Sequence, residues 1–304
     1  HPLTGRVLVN RIWMHHFGRG IVETVGDFGS LGDRPSHPEL LDWLATEFIH
    51  GNWKLKSFHK LIMTSTVYRQ SSRKETHEKS KDPDNRFLSR TSLRRMDAET
   101  LRDSVLKVSG TLNLRMFGPS IPVKENEVGQ FVIGIEKKDG EGIPTADIPL
   151  HGEEYRRSVY VQSRRTKPLS LLATFDAPTM TPNCESRNSS TVAPQSLLLM
   201  NSSFIVSHAR FLAERVRQSV GDNREEQIKR AWSLAFGRPI EQPELQDAAD
   251  FLDDQTSHFQ SSRSASPPKG DDDANPVPVL SPDQQALTSF CQALLSSNEF
   301  LYVD

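Results

Sequence analysis

The 304-residue sequence predicts a mainly α fold, an irregular multi-helix domain with a small β insertion around residues 118–168. Three observations carry that expectation. Apolar residues recur at helical spacing in several separate segments; several of those segments open on Ser, Asp or Pro and close on Gly; and one stretch alone combines frequent Gly and Pro with short β-branched runs. The hydrophobic fraction of 36% lies below the roughly 45–50% typical of a globular domain with glycine counted, which fits a core diluted by polar connections.

The elements follow in order. "PLTGRVLVNRIWMHHFGRG" predicts a helix with Pro2 near its start, Leu8, Ile12 and Trp13 at helical spacing, and Gly18 as its stop. In "SHPELLDWLATEFIHG", Ser36 and Glu39 have the spacing of a capping box, Leu40, Leu44 and Phe48 share a face, and Gly51 ends the helix. "SFHKLIMTSTVYRQS" reads as a third helix with Phe58, Leu61, Ile62, Ser65 and Tyr68 inward, and residues 71–86 as a charged, solvated stretch. Asp97 is placed to cap a helix carrying Leu101, Val105 and Val108 on one side. Within the insertion, "GQFVIGIEK" and "RRSVYVQSR" read as strands.

Helices return in "APQSLLLMN", "SSFIVSHARFLAERVRQ", "EEQIKRAWSLAFG" with Gly237 as stop, and "EQPELQDAADFLDD". Residues 256–281 are rich in Ser, Pro and Asp and predict a disordered linker. The organisation expected is therefore a helical body over 1–255 with the insertion at 118–168, the linker, and a C-terminal helix over 282–304 docking back. Ser281 and Pro282 have the chemistry of a cap and first helical position.

Composition excludes several classes. With 37 basic and 39 acidic residues, the chain lacks the overall basic footprint of a nucleic-acid binder. No run approaches the ~20 apolar residues of a membrane span. The sequence opens on "HPLTGRVLVNRIW" without Met or a signal-peptide pattern, as a processed product or an excerpt of something longer would. Cys184 and Cys291 allow at most one disulfide, and no C-x-x-C or C-x-x-C-H occurs, so neither a Cys-rich zinc site nor covalent haem c attachment is encoded within the chain.

No reaction is declared. His15 and His16 are adjacent on a helix and point about 100° apart, so they do not ligate one metal together, and no metal-site spacing is present. The Gly-rich loop around Asp27 lacks phosphate-cradling order. "SLRRMDAETLRD" gathers Arg94, Arg95, Asp97, Glu99, Arg102 and Asp103 at a helix entrance, either as ion pairs or as an arginine cluster for a carboxylate, sulfate or phosphate. "EEYRRSVYVQSRRT" adds Arg156, Arg157, Arg164 and Arg165, and strand alternation would turn one arginine of a pair inward. In "TPNCESRNSSTVAPQSLLLMN", Cys184 has no local base, the nearest following histidine being His208. Arg187 and the hydroxyls of Ser190 and Thr191 are better placed to contact a ligand or a buried network than Cys184 is to attack. The G-x-S-x-G and S-x-x-K signatures are absent.

Long motifs carry a resemblance over essentially the whole chain. "GRVLVNRIWMHHFGRGIV", "SHPELLDWLATEF", "FHKLIMTSTVYRQSS", "RRMDAETLRDSVLKVSG", "RRSVYVQSRR", "FDAPTMTPNCESRNSSTVAPQSLLLMNSSFIV" and "CQALLSSNEFLYVD" resemble the planctomycete domain of unknown function found C-terminal to planctomycete cytochrome-like domains. The resemblance implies an extracytoplasmic protein and a fused or associated cytochrome-like domain, with any haem c carried by an upstream segment and no cofactor in this chain. It brings no established reaction. The tail, "IKRAWSLAFGRPIEQPEL" and "LLSSNEFL", is similar to a short helical motif of bacterial surface proteins, with Trp232, Phe236, Leu245 and Phe300 as its small core.

Three functions compete: an accessory or ligand-binding module, an enzyme acting on anionic or sulfated polysaccharide through a composite polar site, and a surface or assembly protein. The candidate ligand-binding residues are His15, His16, Arg95, Asp97, Arg102, Arg157, Arg187, Ser190, Thr191 and Asn201, with an anionic ligand expected, no metal, no nucleic acid and no transmembrane segment.

Overall fold

A computed structural model describes residues 1–72, 82–138, 144–178, 187, 189–265 and 280–303. The fold is mainly α, with eleven α-helices and two-stranded sheets only among the described residues. The chain divides into two compact units. The first comprises residues 1–95, 183–187 and 302–304, and the second residues 96–182 and 188–301.

In the first unit, α1 (Pro2–Phe17) ends at Gly18, whose φ of 79° is the left-handed conformation that a glycine adopts without a Cβ clash. α2 (Pro38–His50) buries Leu41, Leu44, Ala45 and Phe48, and α3 (Leu55–Met63) buries Phe58 and Ile62. Together with Val9, Ile12, Trp13, Ile21 and Val22 these side chains make one apolar core. Asn10 is fully buried inside it. Its amide accepts from the Val22 N–H at 2.9 Å and donates to the Val22 carbonyl at 2.9 Å, so the loop after α1 is tied to the helix without an orphaned polar group. Gly20 has to be glycine in this arrangement, because a Cβ there would lie 2.3 Å from the Val22 oxygen.

Three expectations change in this unit. The N-cap of α2 is His37 and not Ser36, whose hydroxyl instead donates to the Ile21 carbonyl and lies 2.9 Å from His37 Nδ1. The third helix stops at Met63, where Thr64 and Ser65 turn their hydroxyls onto Lys60 and Ile62 carbonyls, and Leu61 faces outward. The solvated stretch at 71–86 ends sooner than expected. Residues 73–81 lie outside the described residues, but Asp82 and Asn85 are buried: the Asp82 carboxylate accepts from the Arg86 and Phe87 amides, and Arg90 donates to the Asp82 and Pro83 carbonyls. A short antiparallel pair, β1 (Arg94–Arg95) with the terminal strand Tyr302–Val303, completes the unit.

The second unit opens with α4 (Ala98–Ser109), which starts at Asp97 and ends at Gly110 in the left-handed conformation. Asp97 holds the N-cap position without a side-chain bond to the helix amides. The insertion supplies two hairpins, β2 (Val123–Glu125) with β3 (Phe131–Ile133) and β4 (Ile135–Lys138) with β5 (Pro144–Ile148). The strand expected over "RRSVYVQSR" is not formed. Glu153–Tyr155 and Ser158–Tyr160 are single 3₁₀ turns, and their β-pairing is confined to isolated bridges from Arg156 to Asn113 and from Val161 to Ile121.

Seven more helices follow. They are α5 (Ser170–Thr174), α6 (Ala193–Asn201), α7 (Ser203–Val220), α8 (Arg224–Phe236), α9 (Gln242–Ala265) and α10 (Pro282–Ser296), with the short α11 (Asn298–Leu301) last. α7 buries Ile205, His208, Ala209, Leu212, Ala213 and Val216 along one face. α10 packs on α7 and α9 and buries Leu287, Phe290, Cys291, Leu294 and Leu295. Ser281 caps it as the sequence predicts, and Gln284 completes a capping box. α9 runs to Ala265, into the stretch expected as linker; residues 266–279 lie outside the described residues.

Candidate functional site

Two of the arginines that looked like an anion cluster, Arg102 and Arg156, are internal fasteners. Arg102, only 1% exposed, donates from Nη1 to the Arg156 carbonyl and the Ser158 hydroxyl and from Nη2 to the Glu154 carbonyl. Burial pulls its pKa down to about 10, with Asp103 opposing, so it remains cationic at neutral pH. Asp103 accepts from the Ser158 amide at 2.7 Å and from Arg157 at 3.1 Å. Arg156 lies over the Tyr160 ring, 4.0 Å from its centroid, pairs with Glu153, and donates to the carbonyls of Phe117 and Pro119. These side chains bond α4, the 3₁₀ segment and the Phe117–Pro119 carbonyls, which explains why that segment curls inward and does not extend.

Beside this knot lies a cavity of about 1,020 Å³ between α4, the first hairpin, the 3₁₀ segment, α5, α6 and α7. Its size is at the upper end of the roughly 300–1,000 Å³ usual for small-molecule sites. Its wall is largely apolar. Phe131 and Leu171 stand on one side, and Leu197, Phe204 and Phe211 on the other, with the amides of Gln130 and Asn201 and the hydroxyls of Ser202 and Ser207 among them. The two cations of the lining are engaged, Lys124 with Asp147 and Arg102 as above. Lys124 thus has a carboxylate partner, while Arg102 spends both terminal nitrogens on the chain, has Asp103 at 3.9 Å and keeps its Nε buried without a partner.

The most unusual group in the wall is His208. It is 4% exposed and sits on the buried face of α7, amid Phe204, Phe211 and Tyr155, whose ring centroids lie 4.2, 5.6 and 6.0 Å from its own. Its Nδ1 is 2.7 Å from the Phe204 carbonyl, which can only accept, so the proton is on Nδ1 and Nε2 carries a lone pair. Nε2 is buried without a partner. Burial lowers the His208 pKa, the Phe204 carbonyl opposes that shift, and Arg102 adds to it. The imidazole is therefore neutral at physiological pH.

The sequence candidates fall in different places. Arg102 and Asn201 line this cavity together. Arg157 is an exposed partner of Asp103. Ser190 donates its hydroxyl and its amide to Asp176, with Gln195 reaching the Thr174 carbonyl at 3.0 Å, so this polar loop fixes the start of α6. Thr191 is exposed, as is Asp97. In the first unit His15 is exposed while His16 Nε2 lies 2.8 Å from His59 Nδ1, so the neighbouring histidines do point apart. Arg95 sits in β1 opposite Tyr302, and Arg187 is exposed. Cys184 lies outside the described residues. The Asp27 loop closes on itself through Thr24 and Gly29. His208 was missed as a site residue, although a polar residue between Ile205 and Leu212 on an otherwise apolar helical face was the available signal.

Among the described residues no group of three or more His, Cys, Asp or Glu is placed to hold a metal, and no helix is long and apolar enough to cross a membrane. Residues 1–252 match the family described as PSD1, protein of unknown function (DUF1553), and the chain belongs to that family. No match was found among curated proteins or among solved structures.

Proposed function

We propose that the chain is a ligand-binding module of an extracytoplasmic, cytochrome-associated planctomycete protein, and that its ligand is an uncharged ring compound carrying hydroxyl groups. The cavity of about 1,020 Å³ in the second unit carries this reading. Aromatic and aliphatic side chains cover ring faces, while a few amides and hydroxyls fix orientation, which is how most small-molecule sites divide the work. Arg102 and Asn201 are the sequence candidates that contribute. The anionic ligand expected from the arginine motifs has less support here, because Lys124 is paired with Asp147 and both terminal nitrogens of Arg102 are bonded to the chain. Haem c belongs in this reading to an upstream segment, since the chain has no C-x-x-C-H.

Thermal unfolding in the presence of p-nitrophenyl β-glucoside and of p-nitrophenyl sulfate tests the reading. A ligand that binds only the folded state raises apparent stability, by about 2.7 kcal/mol at a hundredfold excess over Kd. The glucoside is expected to raise the midpoint by several degrees and the sulfate to leave it unchanged. Stabilisation by the sulfate alone would favour the polysaccharide enzyme with an anionic substrate. No shift with either compound would favour an assembly role.

A further inference from the structure

We propose that His208 Nε2 is the hydrogen-bond acceptor for a ligand hydroxyl in the second-unit cavity, so that the ligand is recognised by a donor on its ring and not by shape alone. This rests on the cavity being a ligand site. His208 belongs to the cavity wall and is 4% exposed, and its Nε2 is buried with no partner. Buried polar atoms are almost always paired, and an unpaired one calls for an explanation. Packing alone does not supply it. A phenylalanine or leucine would fill the same place on α7 between Ile205 and Leu212 without an orphaned lone pair.

The geometry fixes what the partner must be. Nδ1–H is held by the carbonyl of Phe204 one turn back on the same helix, so the ring cannot swap tautomer without losing that bond. Nε2 on the opposite edge of the ring can then only accept, and its partner has to donate. Phe204 and Phe211 flank the imidazole and also line the cavity. Phe211 is 40% exposed, which leaves its ring room to turn aside and admit a ligand. A carboxylate or sulfate would set one acceptor against another, whereas an alcohol or phenol on a ring places apolar faces against the phenylalanines and its hydroxyl on Nε2. A sugar and a phenolic share that chemistry.

The test uses β-naphthol and its methyl ether, two rings that differ in one donor, with the whole chain at neutral pH. Dissociation constants are measured by fluorescence titration, and the His208 ring nitrogens are followed by NMR. β-Naphthol is expected to bind at least about tenfold tighter than the ether, a difference of ~1.4 kcal/mol, and to move the Nε2 resonance in the direction of hydrogen bonding. In His208→Phe the two compounds should bind alike. The wild-type comparison stands without that variant, so a poorly folding His208→Phe does not decide the matter. Equal binding of both compounds with an unmoved Nε2 overturns the acceptor role and leaves the cavity reading intact. Binding of neither, at the limit of their solubility, overturns both. Adding p-nitrophenyl β-glucoside as a second arm separates sugar from phenolic through the same resonance.

Discussion

Asn10 places both ends of its amide on the backbone of Val22, in a region that no water reaches. Replacing it by leucine keeps the branched shape but strands an N–H and a carbonyl, each costing about 1–3 kcal/mol when buried. Asn10→Leu should therefore lose about 2–4 kcal/mol in urea unfolding, and an unchanged midpoint would contradict the structure. Arg102 is a second test of the same kind. Arg102→Met leaves the carbonyls of Glu154 and Arg156 unpaired and should cost about 3 kcal/mol, in line with breaking a buried charged network. His208 adds a pH dependence. Its pKa is lowered in the folded chain, so the unfolded chain binds the proton more readily. The resulting stability is present above the ordinary value near 6.5 and is lost as pH falls through the folded pKa. Wild type should lose stability relative to His208→Phe on acidification below about pH 6.5; parallel pH profiles would rule this out.

At the scale of elements, Arg238 joins three segments of the tail. Its guanidinium bonds Glu244 at 2.6 and 2.8 Å and Glu299 at 2.6 and 2.9 Å, tying the loop after α8 to α9 and α11. The hydrogen bonds from Arg238 hold Glu244 at a pKa of about 2. A depressed carboxylate contributes stability above its ordinary pKa near 4.5, and that contribution disappears as pH falls toward 2. Solvent screening of so exposed a pair keeps the gain within about 1 kcal/mol. Arg238→Met should flatten this acid limb without altering α10, as seen in far-ultraviolet circular dichroism between pH 5 and 2. The resemblance in this tail predicted a small core, and Phe300 is buried while Trp232 and Leu245 are half-buried.

The same scale shows what was legible. α1, α4, α8 and α10 could be read because glycine at the C-cap or Ser-Pro at the start leaves one backbone solution. The 3₁₀ turns at Glu153–Tyr160 could not, because Val159, Tyr160 and Val161 have strand propensity. What bends the segment is the carbonyls of Glu154 and Arg156 turning to Arg102, which lies more than fifty residues back. Asp82, Asn85 and Arg90 were hidden for a similar reason: a local charged run reads as solvated unless its partners are known. The cavity was equally out of reach. Its wall comes from segments scattered between Arg102 and Phe211, and only Arg102 and Asn201 of the named candidates belong to it.

For the molecule as a whole, two compact units share one chain. The family match covers residues 1–252 and so takes in most of both, including the cavity wall. Ligand binding in the second unit should slow amide exchange in α6 and the first turns of α7, where Asn201, Ser202, Phe204 and His208 meet the cavity. The most direct test compares wild type with Leu197→Trp, which adds a ring to a cavity-lining position that is 57% exposed and so can be enlarged without disturbing the core. Equilibrium dialysis with p-nitrophenyl β-glucoside should show saturable binding to wild type and binding at least about tenfold weaker to Leu197→Trp, with unfolding midpoints that coincide in the absence of ligand. Equal affinity in the two proteins would contradict the assignment of this cavity as the ligand site.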